Sequence, residues 1–338
     1  VQAWDARAQG ALATWRSWPA KHRFRLRKEL FMAAKYELKT RMASVPLTQP
    51  TEPNTPVAEA LTSQEFTDLA LGTEETRSAL EALSTAESTY LDVFPDCLIG
   101  SFAVPDKRDP LGDPVCFAFY LDKLHLIFID EGDMCERVLH VVATSGVMKQ
   151  MTTVHCLFEF MKQLTKDDLE YLADLEDHME DEEEAMLDRC EDANSRRMLS
   201  FRRMLLRIDT YYQQLADMAS VIAENESKIL THEESHLFSL FARQAERLLK
   251  RSQTLKEYSL QLRELYQTRI DIRQNDTIQW FTVITTLFAP LTLLTSWFGM
   301  NFQNMPGLDW EGSYYVVILV SLAITAGMLV FFRKKGWI

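Results

Sequence analysis

The residues most able to do chemistry in this sequence form a polar stripe that lies mostly within an uncharged stretch, residues 277–308. With about 100° of rotation per residue, one helix face carries seven mostly small or polar positions: Asn275, Ile278, Thr282, Thr285, Ala289, Thr292 and Ser296. Large apolar residues such as Leu287 and Leu291 fall on the opposite face. A helix surrounded by lipid gains nothing from a polar stripe, so the pattern predicts either close helix packing or the lining of a watery pore. Periodicity alone leaves both interpretations open, because Thr and Ser often bond only to their own helix.

The stripe lies in the first of two segments that are long enough to cross a membrane. Residues 280–298 and 314–332 are each 19 residues without a charge, close to the roughly 20 that a bilayer requires. Such lengths are rare in the cores of soluble proteins. Arg333, Lys334 and Lys335 follow the second segment, and the positive-inside bias predicts a cytoplasmic location for them and for the large N-terminal part.

A long helix must position the stripe. No Gly or Pro interrupts residues 232–289, and Leu248, Leu255 and Leu262 recur every seven residues as a heptad seam. One helix over residues 233–298 would be on the order of 100 Å long, at about 1.5 Å per residue. Such a helix needs partners along its whole length, so the sequence predicts an oligomer.

The region before the long helix predicts a small α/β domain followed by further helices. Between residues 57 and 150, helical periodicity alternates with short β-branched and aromatic runs. The predicted strands cover residues 97–104, 115–121, 124–130 and 137–142. Asp122 and Lys123 form a predicted hairpin turn between the second and third of these strands. After Thr152 the pattern is helical, with one predicted helix over residues 154–192.

One short motif has metal chemistry as an alternative interpretation. His232-Glu233-Glu234-Ser235-His236 matches the HExxH pattern, in which two His side chains one helical turn apart hold zinc beside a Glu base. No further His follows His236, and the segment lies in a solvated acidic stretch. We therefore expect no protease chemistry here, and the remaining alternative is adventitious metal binding.

An acidic run has a similar pair of interpretations. Residues 167–192 hold fourteen Asp and Glu against a single Arg. The simplest interpretation is the solvated face of a helix. The functional alternative is that the run concentrates cytoplasmic cations, or attracts a basic ring of Arg333, Lys334 and Lys335 near a pore exit.

Charge and cysteine content exclude several other classes of protein. The formal net charge is −13, from 36 Lys and Arg against 49 Asp and Glu, so nucleic acid is not an expected partner. The five cysteines are scattered and form no CxxC pair: Cys97, Cys116, Cys135, Cys156 and Cys190. This spacing favours neither a disulfide framework nor a structural zinc site, and a reduced cytoplasmic location is expected for the large part. No signal-peptide pattern follows Val1.

The residues that end the first apolar segment resemble a known family. Gly299-Met300-Asn301 follows a span that contains Pro290, a Met-Pro pair comes four residues later, and the second span ends in Arg-Lys-Lys. Over residues 274–338 this arrangement resembles the C-terminal region of the CorA family of magnesium transporters. The resemblance is weaker through the long helix and the acidic region, and faint before about residue 90.

The resemblance implies a homopentameric, funnel-shaped channel. Each subunit would have a cytoplasmic α/β domain, a long α-helical stalk and two transmembrane helices. The stripe would line the pore, and Gly299, Met300 and Asn301 would form a selectivity filter whose Asn301 amides hold Mg²⁺ through its hydration waters. Mg²⁺ would be both the transported ion and a gating ligand from the cytoplasm, with Co²⁺ and Ni²⁺ as further substrates and no organic cofactor. The protein would be a multi-pass plasma-membrane protein with both termini cytoplasmic, and not an enzyme.

The same interpretation divides the chain into predicted segments. They are residues 1–56, a basic segment and Pro/Thr-rich linker; 57–150, the α/β domain; 151–231, an acidic helical hairpin; 232–298, the stalk that continues into the first span at about 278–298; 299–313, an outer loop; 314–332, the second span; and 333–338, a basic cytoplasmic tail.

Two departures from the family pattern lie at the expected outer mouth. Phe298 stands where the family usually has Tyr, and Gly307 stands where it usually has Glu. Asp309 and Glu311 are the acids between the two spans, and they are predicted to capture cations in place of that Glu. Two rival functions stay open: a zinc transporter of the same fold, and a membrane-anchored coiled-coil scaffold without a pore.

Overall fold

The computed structural model describes residues 35–39, 42–45, 54–68, 77–81, 88–145, 151–188, 195–300 and 312–337. It divides the chain into two compact units. One comprises residues 1–180 with 195–259, and the other comprises residues 181–194 with 260–338. The predicted basic segment lies mostly outside the described residues.

The first unit contains a seven-stranded mixed sheet. Its strands are β1 (Lys35–Leu38), β2 (Met42–Val45), β3 (Val57–Leu61), β4 (Tyr90–Val93), β5 (Leu98–Val104), β6 (Val115–Leu121) and β7 (His125–Ile129). The spatial order is β2-β1-β3-β7-β6-β5-β4. Only the central pair β3 and β7 is parallel, and the other neighbours in the sheet are antiparallel.

Seven helices accompany the sheet or follow it in the described part of the chain. They are α1 (Ser63–Asp68), α2 (Met134–Ser145), α3 (Thr153–Leu164), α4 (Asp168–Asp188), α5 (Ser195–Glu224), α6 (His232–Phe298) and α7 (Ser313–Lys334). Residues 77–81 form a further helical stretch. The 67 residues of α6 confirm the prediction of one uninterrupted helix. Leu248, Leu255 and Leu262 are buried along it, as the heptad spacing requires.

The sheet has a hydrophobic core on each face, because successive side chains of a strand point to opposite sides. On one face, Phe102, Phe117 and Phe128 pack against Phe160 of α3, and the ring centroids of Phe128 and Phe160 are 4.1 Å apart. On the other face, a cluster that includes Ile99, Tyr120 and Ile127 encloses Phe66 of α1. Helices therefore cover both faces, which confirms the α/β domain.

The predicted hairpin between β6 and β7 is confirmed, and one predicted strand is wrong. At the turn, the Asp122 carboxylate accepts hydrogen bonds from the backbone N–H groups of Leu124 and His125, at 2.7 and 2.6 Å. Residues 137–142, predicted as a strand from their Val and Leu content, lie within α2. Cys135, Leu139 and Val142 of α2 are buried at helical spacing, so packing on the sheet overrides the β propensity of the valines.

The predicted helix over residues 154–192 is interrupted. α3 ends at Leu164 and α4 begins at Asp168, with a turn at residues 165–167. α3 is apolar and contacts β3 and β7, whereas α4 carries the acidic run. The two halves of the predicted helix therefore have different environments: α3 packs on the sheet, whereas α4 carries many exposed acids.

Candidate ion pathway

Two helices carry the expected membrane segments. Within the described residues, α6 and α7 are long and apolar enough to cross a bilayer. Almost none of the apolar stretch of either helix is buried within the single chain. In water this exposure would carry a large free-energy cost, so these stretches require lipid or other subunits around them.

The seven stripe positions are all exposed in the single chain. The covered positions of the same stretch of α6 recur every three or four residues: Gln279, Val283, Leu287, Pro290, Leu291 and Leu294. At about 100° per residue, the centre of this covered row lies about 150° around the helix from the centre of the stripe. The stripe therefore faces away from whatever part of the chain covers α6.

The threonine hydroxyls along the stripe donate to their own helix. The Oγ1 atoms of Thr282, Thr285 and Thr292 each lie 2.8 Å from the carbonyl oxygen four residues earlier. Each hydroxyl has one hydrogen, and this bond uses it, so the oxygen lone pairs remain as acceptors. The stripe consequently offers hydrogen-bond acceptors to its surroundings. Waters bound to a cation direct their hydrogens outward, and such a surface suits them.

The first membrane helix ends at the predicted filter. The Gly299 N–H donates to the carbonyl of Thr295 at 3.0 Å, and Met300 follows as an exposed residue. A Cβ atom on Gly299 would lie 3.0 Å from the same Thr295 oxygen, so glycine allows a tight helix end at this point. Asn301, Asp309 and Glu311 lie outside the described residues, and their roles stay predictions.

The predicted basic ring lies at the end of α7. Arg333 and Lys334 occupy its last turn and Lys335 caps it, and all three side chains are exposed. Cations at this position also interact favourably with the negative end of the helix dipole.

The acidic helix α4 does not assemble a metal site within one chain. Among the described residues, no group of three or more His, Cys, Asp or Glu side chains is arranged to hold a metal ion. Asp168 is fully buried and contacts the Lys107 ammonium at 2.5 Å, and Glu176 pairs with Arg251 of α6. Burial raises the pKa of Asp168, and Lys107 partly offsets this rise.

The HExxH motif lies at the start of α6, where one of its glutamates has a structural role. His232, Glu233 and His236 are exposed, whereas Glu234 is 3% exposed. Glu234 forms a capping box with Thr231: the Thr231 N–H donates to Glu234 Oε2 at 2.8 Å, and the Glu234 N–H donates to Thr231 Oγ1 at 3.3 Å. The motif is therefore the N-terminal cap of the stalk helix.

The same carboxylate joins α6 to α3, which the sequence did not indicate. Thr152 Oγ1 donates to Glu234 Oε1 at 2.5 Å, and His155 Nδ1 lies 3.0 Å from the same oxygen. Burial alone would raise the pKa of Glu234, but hydrogen bonds from His155, Thr152 and Thr231 lower it to about 2. Thr152 is also the N-cap of α3, so the same cluster of side chains caps the N-termini of both helices.

A second buried polar cluster, also missed from the sequence, joins α5 to α6. The Asp209 carboxylate accepts hydrogen bonds from Ser252 Oγ and from the Lys256 ammonium. Asp209 is 8% exposed and Ser252 is fully buried. Only the positions of Ser252 and Lys256, one helical turn apart on the buried side of α6, could have indicated this contact.

The described residues combine a mixed β-sheet with two apolar helices of membrane-spanning length, which is the composition of a two-span membrane protein. Residues 58–334 match the family model described as "CorA-like Mg2+ transporter protein". The chain therefore belongs to the CorA family, as the resemblance at residues 274–338 predicts.

Individual relatives agree with this assignment. The chain is 25% identical over 193 residues to the "Cobalt/magnesium transport protein CorA" of Thermotoga maritima, a match that covers 57% of this chain and 55% of that protein. The chain thus spans about half of that relative's length. It also matches the structure of the CorA magnesium transporter from Methanocaldococcus jannaschii, with a TM-score of 0.78 and 18% identity, over 91% of this chain and 99% of that one.

The fold is also similar to that of a cytoplasmic domain from another protein. The cytoplasmic domain of ZntB from Vibrio parahaemolyticus matches with a TM-score of 0.55 and 11% identity, over 72% of this chain and 98% of that one. At these identities the structural likeness concerns the fold alone. It does not distinguish a magnesium transporter from a zinc transporter.

Proposed function

We propose that this chain is one subunit of a homopentameric channel that conducts Mg²⁺ across the plasma membrane. The observation that carries the proposal is the acceptor stripe on α6, which is exposed in the single chain although it lies on a membrane-length helix. Membership of the CorA family supports the same function. Around a central axis, the stripes of several subunits would enclose a water-filled path.

The stripe suits a hydrated divalent cation. Mg²⁺ gives up its inner waters reluctantly, and a path of neutral oxygens accepts hydrogen bonds from those waters without removing them. Thr282, Thr285 and Thr292 supply such oxygens at successive levels of α6. A ring of Asn301 amides would hold the ion in the same way at the outer mouth. A divalent ion gains roughly 4.6 kcal/mol on entering down a potential of about 100 mV.

We further propose that cytoplasmic Mg²⁺ gates the channel from sites shared between subunits. Among the described residues of one chain, no three His, Cys, Asp or Glu side chains come together to hold a metal ion, which supports sites shared between subunits. Exposed acids of α4 are available for this purpose. If millimolar Mg²⁺ on the cytoplasmic side leaves transport unchanged in excised patches, gating by Mg²⁺ is excluded.

The test of the conducted ion is flux into liposomes. Purified protein is reconstituted into vesicles with an imposed inside-negative potential, and uptake of Mg²⁺, Co²⁺, Ni²⁺ and Zn²⁺ is measured with internal dyes. We expect Mg²⁺ uptake to be abolished by Asn301→Ala and retained by the matched loop variant Asn304→Ala. The pentamer should persist in both variants, because the amide ring binds hydrated ions and adds little packing.

The outcomes separate the rival functions. Preferential Zn²⁺ uptake with little Mg²⁺ uptake would establish the zinc transporter instead. A folded oligomer that conducts none of these ions would favour the scaffold without a pore. Near-normal Mg²⁺ flux in Asn301→Ala would remove this residue from the filter while leaving the channel itself in place.

A further inference from the structure

The residues that follow the second membrane helix fold back onto its end. The backbone N–H of Lys335 donates to the Phe331 carbonyl at 3.1 Å, and the backbone N–H of Trp337 donates to the Phe332 carbonyl at 3.0 Å. Gly336 has a φ of +70°, a left-handed conformation that favours glycine. The reversal at Gly336 returns Trp337 to the last turn of α7.

An aromatic and cationic cluster results from this reversal. The ring of Trp337 stacks on that of Phe332, with centroids 5.8 Å apart and an angle of 16° between the planes. The Lys335 ammonium lies 5.1 Å from the centroid of Trp337 and 5.8 Å from that of Phe331. Phe332 is 3% exposed, whereas Phe331 is 58% exposed. Trp side chains favour the boundary between the hydrocarbon and the headgroups, because the ring is apolar and its N–H is polar.

The cluster carries uncompensated positive charge. Arg333, Lys334 and Lys335 are exposed, and residues 312–337 contain neither Asp nor Glu. Within the described residues, none of the three forms an ion pair with a carboxylate. Because the three are consecutive, their side chains together span about 200° of the helix circumference. A single pore axis cannot face all three cations, so at least one of them is available to a ligand outside a pore.

We propose that residues 331–337, which we call the α7 cap, bind the phosphodiester headgroup of an anionic phospholipid. Phe331 and Trp337 lie at the boundary of the hydrocarbon, and Arg333 and Lys335 contact the phosphate. Arg offers a planar fork of donors that matches phosphate oxygens, and each cation near an anionic surface strengthens binding roughly fivefold. The inference rests on the proposed placement of α7 across the membrane.

The test counts lipids retained by the full chain. The protein is reconstituted in a mixture of phosphatidylcholine and phosphatidylglycerol, extracted gently, and the bound lipids are counted by native mass spectrometry. We expect Arg333→Gln/Lys334→Gln/Lys335→Gln to lower phosphatidylglycerol retention roughly tenfold or more, with phosphatidylcholine unchanged. The matched control removes three exposed cations elsewhere, as Arg202→Gln/Arg203→Gln/Lys250→Gln, and should retain the lipid.

Additional variants keep the result interpretable. Arg333→Lys preserves the charge and should retain most of the phosphatidylglycerol even if the triple variant assembles poorly. Equal retention by the parent and a properly assembled triple variant would overturn the proposal. So would displacement of phosphatidylglycerol by excess inorganic phosphate in the parent, because the site would then prefer a free anion. Mg²⁺ flux is scored separately, and specific lipid retention in a protein that conducts no ion would contradict the proposed function alone.

Discussion

Two regions of helix α6 differ in the burial and in the hydrogen-bond partners of their polar residues. Near its start, Glu234 and Ser252 are buried, and each has a partner on another helix: His155 and Thr152 for Glu234, and Asp209 for Ser252. In residues 275–296 the stripe is exposed, and the hydroxyl hydrogens of its threonines bond only to carbonyls of α6 itself. Polar residues of the first region join different elements of the chain, whereas the stripe threonines bond only to their own helix among the described residues.

The two regions therefore differ in how their polar groups find hydrogen-bond partners. A buried polar atom without a partner costs free energy, so the first region is fixed by contacts that one chain can complete. The stripe lies on a membrane-length helix, where lipid offers its oxygens no hydrogen bonds. We expect water or other subunits to satisfy its acceptors in an assembly. Substitutions in the two regions should therefore affect different measurements.

The largest effect on stability is expected at the cluster of Asp209, Ser252 and Lys256. Asp209→Ala leaves Ser252 and Lys256 without their acceptor and should destabilise the fold by about 3 kcal/mol. This value is at the low end for a broken buried pair, because the Lys256 side chain is 32% exposed. Denaturant unfolding in detergent measures this change. Asp217→Ala, at an exposed position of the same helix α5, should change stability by about 0.5 kcal/mol or less.

An equal effect of the two substitutions would contradict this view of the first region. The expected specific activity of surviving Asp209→Ala channels is close to that of the parent, because the cluster lies away from the stripe in sequence and touches none of its residues. A variant with parental stability and reduced flux would reverse the assignment, and Asp209 would then belong to the ion pathway or to its gating.

The contribution of Glu234, at the N-terminal cap of α6, to the stability of the protein should depend on pH. The pKa of Glu234 is lowered to about 2, below its ordinary value, so its contribution is present above the ordinary value and is lost as the pH falls toward 2. At neutral pH, Glu234→Gln should destabilise the protein by about 2 kcal/mol. The stability difference between parent and variant should shrink steadily when unfolding is measured from pH 5 down to pH 3.

The matched control is Glu233→Gln at the exposed neighbouring position. We expect it to leave both the stability and its pH dependence close to those of the parent. A Glu234→Gln difference that stays constant over the same pH range would show that the cap depends on the shape of the side chain and not on its charge.

The sequence predicted the long helix and the stripe because both depend on a local period. Uninterrupted helical spacing over residues 232–289 and the absence of charge near Thr285 are visible without the fold. The sequence did not predict the partners of Asp209 and Glu234, because these lie 43 and 79 residues away along the chain, at Ser252 and His155. The strand predicted at residues 137–142 was wrong for a related reason: Leu139 and Val142 are buried at helical spacing by parts of the chain that are distant in sequence, whereas Val141 is exposed.

A moderate effect on transport is expected within the stripe. Thr292→Val removes a hydroxyl acceptor but keeps nearly the same side-chain shape. If that acceptor is worth about 0.5–1.5 kcal/mol to a hydrated ion, its loss corresponds to roughly two- to tenfold lower Mg²⁺ flux. Thr286→Val is the matched control, because Thr286 is also exposed and bonds to its own helix but lies outside the stripe. Stability should be unchanged in both, and equal fluxes would identify the stripe as a packing surface.

The smallest effect is expected at the outer loop, where Gly307 replaces the usual glutamate of the family. Carboxylates near a pore mouth raise the local concentration of cations through a field that salt screens. Asp309→Asn with Glu311→Gln should therefore lower Mg²⁺ uptake about twofold at submillimolar Mg²⁺ and low ionic strength, and much less at saturating Mg²⁺. Gly307→Glu should partly restore uptake in that double variant.

Because long-range capture alters the rate of encounter and not the filter, ion preference should be the same in the parent and in these variants. A double variant that matches the parent at submillimolar Mg²⁺ in low salt would leave recruitment of the ion to Asn301 and the stripe.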